Sequence, residues 1–175
     1  MKVLAFAASN SRQSINQQLV KYAASKIDNA EVEILDLNDF EMPIYSSDRE
    51  SEGGIPEQAQ RFYDKIGAAD VIIVSFAEHN GSYTAAYKNI FDWTSRIDMK
   101  VYQNTPMLLM ATSPGPGGAQ SVLGAAVNSA PYFAADVKAS LSVPSFFDNF
   151  DVEAGKLTND EIDAALENAL KQLTN

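Results

Sequence analysis

The sequence predicts a three-layer α/β domain: a doubly wound, five-stranded parallel sheet in the order 2-1-3-4-5, with helices on both faces. Three observations predict it. Short, nearly continuous apolar runs recur along the chain, as expected of strands covered on both sides. Stretches with helical spacing separate them, so successive strands are joined by right-handed crossovers. The turns leaving strands one, three and four are also unusually polar or Gly/Pro-rich, and this topology brings those turns to one edge of the sheet.

The first strand covers residues 2–8, Lys-Val-Leu-Ala-Phe-Ala-Ala. A hydroxyl-rich loop follows, with Ser9, Ser11 and Ser14 around Arg12. Helical spacing resumes at Ile15, just before Asn16, and continues through Leu19, Val20 and Ala23, giving a first helix over 14–27. Alternation over 31–37 marks the second strand. Residues 38–54 turn to Asp, Ser, Glu and Gly and read as one long loop, with Met42 and Ile44 expected to pack over the core. A second helix starts with Pro56 at its first position and carries Ala59, Phe62, Ile66 and Ala69 at core spacing.

Residues 70–76, Asp-Val-Ile-Ile-Val-Ser-Phe, give the strongest buried-strand signal and belong in the middle of the sheet. The second unusual loop, Ala77 to Tyr83, leads into a helix over 84–97. A fourth strand over 105–112 empties into Ser113-Pro114-Gly115-Pro116-Gly117-Gly118, too rich in Pro and Gly for helix or strand. An Ala-rich helix over 119–133 and an alternating strand over 137–143, limited by Pro144, come next. The tail from Thr158 reads as a helix opened by a capping box of Thr158 and Glu161. No repeat or linker divides the chain, so residues 1–175 are expected to form a single domain.

The totals narrow the function. At 175 residues, 46% apolar and 21% charged, the chain is an ordinary globular domain. It has no Cys, which excludes disulfides, a thiolate nucleophile and Cys-ligated zinc or iron–sulfur centres. The single histidine, His79, argues against a His-based metal site. A net charge of −10 disfavours nucleic acid and anionic membrane as partners. Without a membrane-length apolar run or a cleavable leader pattern, the expected location is the cytoplasm.

The loop from Ser9 to Asn16 joins a strand's carboxyl end to a helix N-terminus, where free N–H groups and the helix dipole favour an anion. One serine could simply cap the helix. Three hydroxyls with an Arg and an Asn exceed that need and suit a phosphate. The Walker pattern is absent, as is Gly-x-Gly-x-x-Gly after the first strand, which argues against a nucleoside triphosphatase and a dinucleotide loop. Hydroxyls in place of glycines suit a terminal phosphomonoester, such as that of flavin mononucleotide (FMN). In the second loop, Glu78, His79 and Asn80 offer donors and acceptors to a ring edge, and Gly81 allows close approach. Alternatively, Asn80-Gly81 is an ordinary turn pair and Ser82 caps the next helix.

Ser9, Ser11, Ser14 and Asn16 resemble the N-terminal motif of the NADPH-dependent FMN reductase family, flavodoxin-like enzymes. Ala77-Glu78-His79-Asn80 resembles the family's Pro-Glu-Tyr-Asn, and Lys88-Asn89 and Asp92-Trp93 match its following helix. Ala77 replaces Pro, His79 replaces Tyr, Ala8 stands where Gly is usual, and Ser11 with Arg12 stands where the family has Arg. The resemblance covers Lys2 to at least Gly118. It implies FMN bound by Ser9, Ser11, Arg12, Ser14, Ile15 and Asn16 at the phosphate. It further implies that Ala77, Glu78, His79, Asn80, Gly81 and Ser82 lie along the ring, with Ser113, Pro114, Gly115, Gly117 and Gly118 leaning on it.

The implied reaction is hydride transfer from NAD(P)H as co-substrate to FMN and on to a quinone, flavin or other small acceptor. The flavin carries that chemistry, so no catalytic side chain is assigned. The alternative is a flavodoxin-type electron carrier without nicotinamide activity, although its aromatic-flanked ring and Thr-rich phosphate loop are not seen here. A receiver domain would need an acidic pair after the first strand, where this chain has serines. Tyr83, Tyr87 and Phe91 line one face of the helix over 84–97, while Ala86, Ile90, Trp93 and Ile97 line another. Such a helix is either buried on both sides or forms a homodimer interface, and the resemblance implies the latter, in a homodimer or homotetramer.

Overall fold

The computed structural model describes residues 1–174. Its central sheet has five parallel strands in the order β2-β1-β3-β4-β5. These are β1 (Lys2–Ala8), β2 (Glu31–Leu35), β3 (Val71–Phe76), β4 (Pro106–Thr112) and β5 (Asp136–Val143). The helices are α1 (Ile15–Ser25), α2 (Ser47–Gly53), α3 (Glu57–Gly67), α4 (Ala85–Thr94), α5 (Gln120–Ser129), α6 (Phe146–Asn149) and α7 (Asp160–Thr174).

Strand side chains alternate between faces, and the core divides accordingly. Leu4, Phe6, Ile72, Val74, Met107 and Leu109 point to one face, where α3, α4 and α5 cover them with Phe62, Tyr87, Trp93 and Val122. Val3, Ala5, Val71, Ile73, Leu108 and Met110 point to the other, covered by α1 and α7 through Leu19, Val20, Leu166 and Leu170. The first layer is aromatic, with Phe6 and Phe40 both edge-on to Phe62. An ion-paired bracket ties the helices of the second: Lys26 on the turn after α1 meets Asp163 at 2.9 Å and Glu167 at 3.0 Å on α7.

Several expectations need correction. The segment over 38–54 is not one loop: a 3-10 turn, Leu37–Phe40, precedes an extended stretch and then α2, whose N-cap Ser46 accepts from the Arg49 N–H. No residue of α2 is buried, so no apolar periodicity announced it. Met42 packs inward, but Ile44 is 76% exposed.

Pro56 is the N-cap of α3 instead of its first residue, because its ψ of 146° is extended. The helix expected over 119–133 ends at Ser129 and tightens into a 3-10 turn, Ala130–Phe133, where Pro131 has no N–H to continue the α pattern. The tail helix is capped by Asn159, not Thr158: Asn159 Oδ1 accepts from the N–H groups of Glu161 and Ile162. Thr158 donates its own N–H to the Asn149 carbonyl at 2.8 Å, in register with a small hairpin of β6 (Phe150–Asp151) and β7 (Lys156–Leu157) that the sequence reading omitted.

The helix over 84–97 shortens to α4, with Thr84 as its cap. Tyr87, Ile90 and Trp93 are all buried in the chain's own core, while Tyr83 and Phe91 are partly buried against it. Asn89 and Trp93 pin the extended stretch before α2: Asn89 donates to the Met42 and Pro43 carbonyls, and Trp93 Nε1 donates to Pro43 at 2.7 Å. No helix is long and apolar enough to cross a membrane among the described residues.

Candidate functional site

Every parallel strand ends its run at the same edge, so the loops after β1, β3 and β4 emerge side by side. Buried polar side chains tie them together there. Asn16, 3% exposed in the first turn of α1, accepts from the Ser75 hydroxyl at 2.7 Å and from the Thr112 N–H at 3.1 Å. Its amide also donates to the Thr112 carbonyl at 3.3 Å. One side chain thus bridges α1, β3 and β4. Thr84, 1% exposed, donates to the Ala8 carbonyl at 3.0 Å and caps α4 through the Tyr87 N–H, linking the second loop to the end of β1. A third tie runs from Glu78, whose Oε2 accepts the Val122 N–H of α5 at 2.9 Å.

The first loop is organised by its serines. Ser9 Oγ accepts from the Ser11 N–H at 3.1 Å, Ser11 Oγ from the Gln13 N–H at 3.3 Å, and Ser14 Oγ from the Gln17 N–H at 3.2 Å. A hydroxyl that accepts a backbone N–H keeps its own proton to donate. Ser14 is therefore the helix cap, while Ser9 and Ser11 shape the turn. The N–H groups of Ile15 and Asn16 open the first turn of α1, where no intrahelical acceptor exists. Exposed Arg12 has no hydrogen-bond or ion-pair partner among the described residues. From outside, Asn38 holds the loop by donating to the Asn10 carbonyl at 3.1 Å.

The second loop is a tight hairpin turn. His79 and Ser82 exchange both backbone bonds, at 3.0 and 3.1 Å, around Asn80 (φ 53°) and Gly81 (φ 78°). Two successive left-handed residues are what Asn-Gly favours, so the turn reading of this pair holds for its backbone. The turn leaves His79, Asn80, Gly81 and Ser82 exposed, with Ala77 and Glu78 partly buried below. Ser82 does not cap α4, since Thr84 does.

The third loop is fastened from the β5 side. Ser145 donates its N–H to the Gly115 carbonyl at 2.9 Å, Phe146 to Ser113 at 3.0 Å, and the Ser142 hydroxyl to Gly118 at 2.7 Å. Gly118 has a required role: its φ is +59°, and a Cβ there would lie 2.3 Å from Ser142 Oγ and 3.1 Å from the Pro144 nitrogen. Gly115 and Gly117 face open space, as does Gly81, and Pro114 is exposed beside them.

The structure thus brings all three predicted loops to one edge, yet not every predicted residue faces outward. Asn16 spends its side chain on the sheet, leaving only its backbone N–H for an anion. Ser75, Thr84, Thr112 and Ser142 were missed. Ser75 and Thr112 had a signal: each interrupts or ends an otherwise apolar strand, and a buried hydroxyl requires a partner.

One groove borders this edge, and a second leads away from it between α4 and α5. The first, of about 230 Å³, runs from Asn10 past Phe40, Met42 and Ile44 to Ala86. The other, of about 340 Å³, lies beyond Tyr83 and is walled by Tyr87, Phe91, Tyr102 and Phe133. Burial pushes the Tyr87 and Tyr102 hydroxyls well above the ordinary phenol range, and the two hydroxyls bond to each other at its base. A third groove, about 370 Å³, lies at the opposite end of the sheet, by Lys2, Glu31 and Arg61.

Comparison with known proteins fits this geometry. The chain is 29% identical to an NADPH:quinone oxidoreductase of Arabidopsis thaliana over 69% of its own length and 62% of the relative's. It is 31% identical to a 2-hydroxy-1,4-benzoquinone reductase of a Burkholderia species, over 66% of its length and 62% of the relative's. The chain therefore spans about three fifths of these relatives' length. Among solved structures, the flavoenzyme NAD(P)H:(acceptor) oxidoreductase FerB of Paracoccus denitrificans superposes with a TM-score of 0.80, covering 98% of this chain and 94% of that one at 21% identity. Smu.1420 of Streptococcus mutans covers both chains fully, with a TM-score of 0.66 and 17% identity. These likenesses establish the flavodoxin-like fold. A model of the family described as NADPH-dependent FMN reductase matches residues 1–148, and the chain belongs to that family.

Proposed function

We propose that residues 1–175 act as one FMN-binding domain that passes reducing equivalents from NAD(P)H to a quinone, a flavin or another small acceptor. The observation that carries the reading is the donor set of the first loop. Three serine hydroxyls are each aligned by a backbone N–H and keep a proton to give, at a helix N-terminus with an unengaged Arg12 beside them. Such a set fits a dianionic phosphomonoester, which rewards many donors. In this reading Ser9, Ser11, Arg12, Ser14 and the N–H groups of Ile15 and Asn16 hold the phosphate. Ala77, Glu78, His79, Asn80, Gly81 and Ser82 border one side of the ring, and Ser113, Pro114, Gly115, Gly117 and Gly118 the other. The open space above Gly81, Gly115 and Gly117 leaves room for a flat ring.

When bound, FMN would supply the redox chemistry, that of a two-electron hydride acceptor for the nicotinamide. The chain's own contribution is position: the buried polar ties of Asn16, Thr84 and Glu78 orient the loops, and no side chain is assigned a proton-transfer role. The quinone reductases among the relatives support a quinone as acceptor. A homodimer or homotetramer is proposed on the groove beside Tyr83 and Phe91, where partly exposed aromatics await a cover. The cytoplasm is the proposed location, and the net charge of −10 weighs against nucleic acid or anionic membrane as partners.

Stopped-flow absorbance at the flavin band tests the reading. Rapid bleaching of protein-bound FMN by NADPH or NADH, and recovery on adding a quinone, is the expected result. A protein that stays colourless with micromolar FMN loses the whole reading; one that binds FMN but is not bleached is an electron carrier instead.

A further inference from the structure

Helix α5 begins without a cap of its own. Ala119, at its N-cap, is left-handed (φ 56°) and has no side-chain group to offer. The N–H of Val122, at the third helical position, is the one an N-cap side chain would satisfy. Its acceptor comes from another loop, Glu78 Oε2 at 2.9 Å. A carboxylate there also meets the positive end of the helix dipole. The third loop runs into α5, so it is held on one side by the Ser145 and Phe146 N–H groups and the Ser142 hydroxyl, and on the other, through α5, by the Glu78 carboxylate.

We propose that Glu78 is a positioning residue: by capping α5 in trans it sets the gap between the second and third loops, into which the FMN ring fits. The inference rests on the FMN reading above and deepens it. It reassigns Glu78 from a polar contact along the ring to the tie that keeps the two walls of the ring site in register. A glutamine at this position offers the same acceptor oxygen without the charge, whereas an alanine offers nothing. The two variants therefore separate geometry from charge.

The test has two readouts. Hydrogen exchange of the Val122 amide in FMN-free protein reports the cap directly. Titration of apoprotein with FMN, followed by fluorescence quenching and by the visible spectrum of the bound flavin, reports the ring site. Glu78→Ala is expected to speed Val122 exchange and weaken FMN about tenfold, the scale of one lost helix cap, with an altered spectrum. Glu78→Gln is expected to restore the spectrum and to stay within about threefold of wild-type affinity, since the acceptor is retained. The inference is overturned if Glu78→Ala leaves Val122 exchange or FMN affinity unchanged, or if Glu78→Gln is as impaired as Glu78→Ala. A wild-type protein that takes up no FMN overturns the reading of the site instead, and the Val122 exchange rates then still decide whether Glu78 holds α5.

Discussion

Arg12 in the loop after β1 and Asn16 in the first turn of α1 stand four residues apart, and residue chemistry nominates both for the same phosphate. In the fold they part company. Asn16 is 3% exposed and spends its amide on Ser75 and Thr112, whereas Arg12 is exposed and engages nothing among the described residues. The same division runs through the whole carboxyl edge of the sheet. A floor of Asn16, Ser75, Thr84 and Thr112, all buried and all bonded, holds the strand ends together. A rim of Ser11, Arg12, Asn80, Gly81 and Gly117 lies above it in solvent. The difference teaches that polarity alone does not mark a ligand contact. Burial decides whether a polar group organises the site or touches what enters it.

If that division is right, floor variants change stability and rim variants change affinity. The largest effect is expected from Asn16→Ala, which strands the Ser75 hydroxyl and both Thr112 backbone groups in the interior. Urea denaturation should show a loss of about 3 kcal/mol, from orphaned groups at about 1–3 kcal/mol each. A loss under about 1 kcal/mol, with FMN binding abolished, would return Asn16 to the rim.

Gly118→Ala comes next. It puts a Cβ 2.3 Å from Ser142 Oγ in a left-handed residue, and about 2 kcal/mol of stability should go with it. Gly117→Ala, with nothing within 4 Å, is the control and should melt like wild type.

Arg12→Ala sharpens the comparison from the other side. The melting temperature should hold while FMN affinity falls about tenfold, the loss of one charge-assisted bond at an exposed site. Unchanged affinity in a calorimetric titration would leave the phosphate to the serines and the α1 N-terminus.

The smallest effect lies away from the edge, in an exposed ion pair that serves as a baseline. Hydrogen bonds from Arg96 first, and then Tyr45, hold the Glu50 carboxyl below its ordinary value. A depressed carboxyl stabilises the fold above its unfolded pKa, and that contribution is lost as pH falls through the folded one. Glu50→Gln should therefore flatten the acid side of the stability curve slightly and leave neutral-pH FMN binding untouched.

Much of the molecule was legible before any coordinate. The apolar runs at 2–8, 70–76 and 105–112 became β1, β3 and β4 within a residue at either end. The strand order and the meeting of three loops followed from crossover handedness. These properties are local or nearly so: side-chain periodicity and turn chemistry act over a few residues, and the chain's handedness does the rest. Helix α2 escaped notice because, with no buried residue, it has no periodicity to read.

What the tertiary structure alone decided is the pairing of polar groups. Asn16 finds Thr112 across 96 residues, and Glu78 finds Val122 across 44. Asn159, next to Thr158 and just as able to cap, takes the start of α7, while Thr158 gives its N–H to Asn149 at the foot of the β6–β7 hairpin. A hydrogen bond needs its partners within a few tenths of an ångström, and only the packing of the whole core sets distances that finely. The sequence by itself determined where polar residues gather; which of them face inward, and whom they bind, waited on the fold.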